Sequence, residues 1–532
     1  NQSQLYKELG GTAKTGGEAS PNADEAKEFW SKIWSVDKQH DGGASWLGGV
    51  KEKLGGVEQM EDIAVSLEDV KAGIRKMANW KAPGPDGVRG FWFKKFQSLH
   101  SPMTGALQSL IRLGEVPEWL VKGRTVLIQK DPAKGTVASN YRPIACLPLM
   151  WKLLTGIFAD KIYDHLLANN VLPDEQKGCR RGSRGTKDQL LIDKVILREV
   201  RRKKRCLSVA WIDYKKAYDM VPHSWIREML DVVKVAGNLK GLLTNSMADW
   251  KTVLTANGEM LGEVDIRRGI FQGDSLSPLL FIIVMIPLSI LLKREKLGYS
   301  FGSDGKLINH LLFMDDLKLF GKTERELEGL VDLVSVYSRD IGMEFGLEKC
   351  ASLVIRRGVK EGNDGIELPN GEMMKEVDAN GYKYLGVLEG ADIKNREMKD
   401  KVSGEYLRRV KLVAKSKLYG GNVIKALNVW AVSVVRYSAG ILEWSEKELK
   451  KLDIRTRKIL AMAGVFHIRS SVDRLYRKRK DGGRGLISVV DCVRGEEIAL
   501  NEYVKGSEEW MLKVVAGGIE VGESKIDYFR RV

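Results

Sequence analysis

An α+β fold divided among several packed subdomains is what this sequence predicts, on three observations. The chain has 532 residues, more than one hydrophobic core normally supports. With 43% apolar and 29% charged residues, its composition is that of a globular protein rather than a disordered one. From Leu207 to Ile341, strand-like and helix-like patterns alternate, with polar residues at strand ends and apolar helices to pack behind them.

The elements follow in chain order. Gly-rich stretches at 10–20 and 42–56 flank a short helix from Asp24 to Trp34, with Phe29, Trp30, Ile33 and Trp34 along one side. Residues 1–62 therefore read as an N-terminal extension rather than a core. Ser66 is an N-cap with Asp69 three positions on, and Val70, Ile74 and Met77 recur at helical spacing until Ala82-Pro83-Gly84-Pro85-Asp86-Gly87 turns the chain. Thr125–Ile128 has strand character, Asp131-Pro132-Ala133-Lys134-Gly135 is its following loop, and helix runs from Leu149 to Leu167. Next come a strand at Leu207–Ile212, a helix at Trp225–Val235, and extended pieces at Val253–Leu254 and Gly262–Ile266. A helix at Ser277–Lys293, a hairpin of His310–Leu312 with Leu317–Phe320 and a helix at Glu324–Ile341 complete this part. Beyond Tyr384-Leu385-Gly386 the basic stretches Lys401–Lys417 and Glu446–Met462 form a helical carboxy-terminal subdomain. The expected divisions are 1–62, 63–206, 207–390 and 391–532.

Charge narrows the function. A net charge of +16 calls for a polyanionic partner, nucleic acid first and an anionic membrane second. The one long apolar run, Leu279 to Leu292, contains Pro287 and is shorter than a spanning helix, so it reads as a buried helix and no membrane partner is expected. No secretory signal is visible, and an intracellular protein is expected. Cys146, Cys179, Cys206, Cys350 and Cys492 are scattered without a C-x-x-C pair, and the histidines lack ligand spacing, against disulfide or zinc frameworks.

Two segments carry acids in apolar surroundings. Val209 to Ile212 is a strand that delivers Asp213, and Leu311-Leu312-Phe313-Met314-Asp315-Asp316-Leu317 sets two adjacent carboxylates at a hairpin tip. An Asp-Asp pair in a loop is ordinarily a solvated turn. Inside a hydrophobic hairpin, however, uncompensated charge is costly and adjacent carboxylates repel. Hard divalent cations, held by carboxylates and substrate phosphates, meet that need and can serve phosphoryl transfer in pairs.

These residues belong to a longer pattern. Asp213-Tyr214-Lys215-Lys216-Ala217-Tyr218-Asp219, Phe271-Gln272-Gly273-Asp274-Ser275-Leu276-Ser277-Pro278 and Phe313-Met314-Asp315-Asp316 resemble, in order and spacing, the core motifs of reverse transcriptases of non-LTR (LINE-type) retrotransposons. Asn79 to Gly87, Asn140-Tyr141-Arg142-Pro143-Ile144 and Gly178 to Thr186 resemble that family's fingers, and Tyr384-Leu385-Gly386 its primer grip. Val472 to Tyr476 and Gly482 to Ile487 resemble the thumb of elements with a restriction-like endonuclease. The resemblance covers roughly residues 60–495.

It implies a right-hand polymerase: fingers, a palm with an antiparallel sheet and a helical thumb. The implied activity is RNA-directed DNA polymerisation by target-primed reverse transcription, with Asp213, Asp315 and Asp316 as catalytic metal ligands for two Mg²⁺ ions, or Mn²⁺. Gln272 and Gly273 would pack under the templating base and incoming nucleotide. Tyr218 would occupy the space of a ribose 2′-hydroxyl; as a plain core tyrosine it would sit in the same place. Lys130 and Arg142 would meet the triphosphate, and Lys349 the departing pyrophosphate. Nucleic-acid contacts would come from Arg180, Arg181, Arg184, Gly386, Arg408, Arg409, Lys478 and Arg479, although charge runs also occur as solvated faces. The implied partners are template RNA, a DNA primer or nicked target DNA, and dNTPs, with work in the nucleus and a cytoplasmic ribonucleoprotein stage; oligomeric state is left open. Met314 stands where many members have Ala. The DNA-binding and endonuclease modules of complete elements are not visible, and the chain starts at Asn1, so a fragment without nicking activity is expected. A binding protein that keeps the fold without catalysis, and an RNA-dependent RNA polymerase, are the alternatives; the intact acids and Tyr218 favour the reverse transcriptase.

Overall fold

The computed structural model describes residues 20–301, 305–416 and 418–520. Two sheets organise it. The first is four-stranded, ordered Tyr141–Cys146, Gly123–Gln129, Lys251–Ala256, Glu259–Asp265. Its central pair is parallel and its outer pairs antiparallel. The Lys251–Ala256 and Glu259–Asp265 strands join through Asn257-Gly258, both at positive φ, the chemistry of a tight hairpin turn. The second sheet is five-stranded and antiparallel, ordered Val359–Glu361, Ala351–Arg356, Leu207–Ile212, Asp316–Gly321, His310–Phe313.

All six residues of Leu207–Ile212 are buried, which is why this strand reads as a continuous apolar run rather than an alternating one. Its two faces serve different cores. Ala210 and Ile212 join a cluster with the N-terminal helix, the first sheet and the helices behind it. Leu207, Val209 and Trp211 join a second cluster with helix Thr186–Arg202 and the carboxy-terminal helices. The second core runs continuously from the palm strand into helices beyond residue 391, so the expected division there is not a break in packing.

The predicted elements are present with shifted ends. Ser66 and Asp69 form a reciprocal capping box at the start of Leu67–Lys76. The apolar helix spans Ser277–Arg294 and so is long and apolar enough to cross a membrane, but 78% of it is buried inside the protein. Its Trp225 and Tyr337 neighbours both donate hydrogen bonds to the Val284 carbonyl. One expectation is corrected. Residues 20–62 are not peripheral to the core: Trp30 is fully buried, Trp34 and Leu47 nearly so, and helix Ala23–Trp34 packs on strand Glu259–Asp265. The Gly content of this segment hid three tryptophans, Trp30, Trp34 and Trp46, that bury large apolar area. The opening residues before Ser20 lie outside the described part.

Candidate active site

The hairpin His310–Phe313 and Asp316–Gly321 turns through Met314 and Asp315, with Met314 at φ 58°. Such a turn is costly for a side-chain-bearing residue, and the surroundings hold it. Gln176 Oε1 accepts from the Met314 amide at 2.9 Å and from the Gly178 amide at 2.8 Å. Gln189 Nε2 donates to the carbonyls of Glu175 and Leu312. A Cβ on Gly178 would stand 2.3 Å from Met314 Sδ and 2.8 Å from Gln176 Oε1, so a larger residue there would have to displace the side chains that pack on the turn. Asp213 follows its strand on the neighbouring position. The Gly346 amide donates to the Asp213 carbonyl at 2.7 Å, and a Cβ on Gly346 would stand 3.0 Å from Asp213 Oδ2.

Asp213, Asp315 and Asp316 thus converge. Burial, then the charges of Asp315 and Asp213, push Asp316 up to about 6. Burial also raises Asp315, and Asp213 adds to it. One cation answers them directly: Lys349 Nζ lies 2.8 Å from Asp213 Oδ2. Lys349 is held above its ordinary value despite burial, because Asp213 accepts its hydrogen bond. Mutual repulsion and a shortage of positive charge suit these carboxylates to hard divalent cations, which reverse transcriptases generally require, although among the described residues no three acid, imidazole or thiol side chains are drawn together into a finished metal site.

A cavity of about 400 Å³ opens beside the acids, and it gathers the residues assigned to the nucleotide. Lys130, Arg142, Tyr218, Gln272, Gly273 and Lys349 all line it, with Asp213 and Asp315. Asp316 does not; it sits on the strand side, near Tyr382 and Tyr384. Lys130 and Arg142 are brought together because Asn140 cross-braces the loop between their strands, donating to the carbonyls of Asp131 and Gly135. Burial lowers Lys130, with help from Lys349 and Arg142, the signature of cations crowded where an anion would sit. The Tyr218 ring stacks on Phe281, centroids 4.8 Å apart and planes 6° apart. Asp274, buried and accepting from the Thr155 hydroxyl at 2.7 Å, holds the turn that presents Gln272 and Gly273.

The assigned nucleic-acid contacts do not share one surface. Arg180 is spent on the Leu172 and Pro173 carbonyls and Asp174. Arg181 pairs with Asp160 and Asp164 and lies over Tyr163. Arg184 is exposed above Tyr503. Arg408 and Arg409 both pair with Glu405, Arg479 donates to the Gly421 carbonyl, and Lys478 is exposed. Gly386, at φ 83° after Leu385 at φ 45°, completes the tight turn of hairpin Tyr382–Tyr384 and Val387–Glu389, and Tyr437 donates to the Leu385 carbonyl at 2.6 Å.

The family described as reverse transcriptase (RNA-dependent DNA polymerase) matches residues 128–388, the stretch that contains all eight cavity residues named above. This chain carries a reverse transcriptase domain. The chain is 28% identical to the retrovirus-related Pol polyprotein from type-1 retrotransposable element R2 of Nasonia vitripennis, over 58% of this chain and 29% of that protein. It is 26% identical to the R2 polyprotein of Popillia japonica, over 79% of this chain and 58% of that one. It is also 22% identical to the RNA-directed DNA polymerase from mobile element jockey of Drosophila funebris, over 74% of this chain and 45% of the relative. The chain therefore spans less than two thirds of the length of these relatives. Within the reverse transcriptase domain, sequence reasoning assigned no role to Gln176 and Gln189, which hold the acidic turn, or to Lys216 and Asp219, which line the cavity. Asp219 had a usable signal: a second carboxylate in an apolar motif, six positions from the first.

Proposed function

We propose that this chain is an RNA-directed DNA polymerase that copies retrotransposon RNA into DNA from a nicked chromosomal end. The observation that carries this reading is the cavity: two of the three acids, two fingers cations, the Tyr218 ring and the Gln272-Gly273 turn meet in one space of nucleoside triphosphate size. Asp213, Asp315 and Asp316 would hold two Mg²⁺ ions, which when bound supply charge to the attacking 3′-hydroxyl and the leaving oxygen. Lys130 and Arg142 face the triphosphate with fixed positive charge. Tyr218, braced flat on Phe281, cannot swing aside for a 2′-hydroxyl and so selects deoxynucleotides. Lys349, which pairs with Asp213 here, would be free to donate a proton toward pyrophosphate where Asp213 served as a metal ligand instead. The partners on this reading are template RNA, primer or nicked target DNA and dNTPs, and the chromosomal end sets the work in the nucleus after assembly with RNA in the cytoplasm. The test is primer extension with RNA and DNA templates, each supplied with dNTPs or rNTPs and with Mg²⁺ or Mn²⁺. DNA synthesis on RNA is expected; incorporation of rNTPs alone, or none in any combination, overturns the reading.

A further inference from the structure

Helix Ala23–Trp34 ends on Trp34, which touches Asp219, one of the residues that line the nucleotide cavity. Trp34 Nε1 donates to Asp219 Oδ1 at 3.2 Å, and Trp34's carbonyl accepts from the amides of Arg267 and Arg268 at 2.8 and 3.1 Å. The helix end is therefore fastened to the segment that leads into Gln272. Asp219 is 2% exposed and receives Gln272 Nε2 at 3.3 Å on each oxygen.

The backbone around Gln272 has no freedom to compensate. Its carbonyl accepts from the Ala145 amide at 2.8 Å, and Gly273, at φ 136°, would place a Cβ 2.3 Å from the Ala145 carbonyl oxygen. Gly269, on the other side, would place one 2.8 Å from the Asp219 carbonyl oxygen. Only the Gln272 side-chain amide can still choose an orientation. An ionised carboxylate accepts hydrogen bonds and cannot donate, so both groups facing Asp219 must be donors. The indole N–H supplies one and the Gln272 amide nitrogen the other. With its nitrogen turned inward, the amide is left with Oε1 toward the cavity that Gln272 lines. Burial raises Asp219 to about 6, so it is ionised at neutral pH, and Lys216, its ammonium 4.1 Å above the Trp30 ring of the same helix, works against that rise.

We propose that Asp219, held by Trp34, is a positioning residue that fixes the Gln272 amide with its oxygen facing the nucleotide, so that the segment ahead of the fingers takes part in nucleotide selection. The inference rests on the polymerase reading above. An oxygen there is an acceptor for a donor on the incoming nucleotide, either its sugar 3′-hydroxyl or a base N–H. Asp219→Asn can donate to Gln272 and lets the amide turn over; Trp34→Phe keeps the ring and removes the N–H.

Single-nucleotide incorporation on a defined RNA template and DNA primer, together with thermal melting, tests this. In Asp219→Asn KM for dNTP should rise roughly tenfold, the order of one hydrogen bond to a charged group, while kcat and the melting temperature stay close to wild type; Trp34→Phe, which leaves the Gln272 amide a carboxylate to donate to, should raise KM less and lower the melting temperature. Dideoxynucleotides separate the two donors: if the sugar hydroxyl is the partner, the wild-type preference for dNTP over ddNTP collapses in Asp219→Asn, and if a base N–H is, the preference survives while KM still rises. In Asp219→Asn, unchanged KM, or KM and kcat lost together with the melting temperature, overturns the inference. Should Trp34→Phe not fold, Asp219→Asn alone decides. An inactive wild-type chain on every template would instead overturn the polymerase reading, since it leaves no reference KM.

Discussion

Two acidic clusters meet at the same palm strand, Asp316–Gly321, and they are built on opposite principles. Asp213 and Asp315 border an open cavity with Asp316 beside them, and Lys349 is the one cation that pairs directly with this cluster among the described residues. Asp193 and Glu389 are fully buried and share Lys318, itself 0% exposed, at 2.5 Å each. Trp211 Nε1 donates to Glu389 at 2.7 Å, and the Lys318 ammonium also faces the rings of Trp211, Phe320 and Tyr384. Burial, then the Asp193 charge, push Glu389 well above the usual carboxylate range. Lys318 follows Asp316 by two positions, so one strand presents an unsatisfied acid and, on the same face, the cation of a closed triad. The closed cluster brings its own counter-charge and does structural work, tying the Tyr382–Tyr384 and Val387–Glu389 hairpin and helix Thr186–Arg202 to the strand. The open one is short of positive charge and must borrow it.

The largest expected effect breaks the open cluster. Asp315→Asn should lower primer extension by about 10³-fold or more, since several kcal/mol of charge stabilisation go with the metal site. Its melting temperature should equal or exceed wild type without divalent ions, because repulsion is relieved. Mg²⁺ should then raise the wild-type melting temperature but not the variant's; a variant that still polymerises would erase the distinction between the clusters. Next, Lys318→Met should strand two buried carboxylates and cost about 3–5 kcal/mol, read by denaturant unfolding. Replacing Lys318, Asp193 and Glu389 together by apolar residues of similar volume should restore most of that loss. If Lys318→Met is as stable as wild type, the triad is not a closed ion cluster.

A third effect is smaller and has a sign. The folded pKa of Asp316 is raised to about 6 from an unfolded value near 3.8, so the metal-free fold binds its proton more tightly than the unfolded chain does. That contribution is fully present below the unfolded value and is lost as pH rises through about 6. Compared with Asp316→Asn, wild type should therefore lose of order 1–2 kcal/mol between about pH 4 and 6 without divalent ions. Saturating Mg²⁺ should reverse the trend. A flat difference across that window would mean that the acids do not repel.

The comparison also separates what one sequence could reveal from what it could not. The open cluster was legible because its residues sit in contiguous strings, Asp213 to Asp219 and Phe313 to Asp316, whose apolar flanks make the acids conspicuous. The closed triad was not, because Asp193, Lys318 and Glu389 come from a helix, a strand and a hairpin that only tertiary packing unites. Asp193 lies in a stretch to which the sequence reading assigned no element, and the helix found there, Thr186–Arg202, buries Lys187, Asp188 and Lys194 as well. The third palm strand, Ala351–Arg356, was overlooked for a different reason: it is a short apolar run that periodicity alone cannot tell from helix. Trp34 reads as an apolar stripe residue, and nothing local says that its N–H meets Asp219.

The smallest effect concerns the thumb, where paired surface charges offer a third arrangement. Hydrogen bonds from Arg408 and Arg409 hold Glu405 down to about 2, on a helix, Asn395–Lys415, otherwise rich in cations. The stabilisation is present above the unfolded carboxylate value and is lost only as pH falls through about 2, and because these side chains are largely exposed it is worth under about 1 kcal/mol. Glu405→Gln should therefore barely move the melting temperature. Its consequence for binding should be the larger one. Arg408 would become available to backbone phosphates, while Arg409 stays held by the Trp430 carbonyl and ring, so affinity for a template-primer duplex should rise severalfold at low salt and the dependence of log K on log salt should steepen by about one phosphate contact. If neither slope nor affinity changes, Arg408 and Arg409 stabilise their own helix and do not touch nucleic acid.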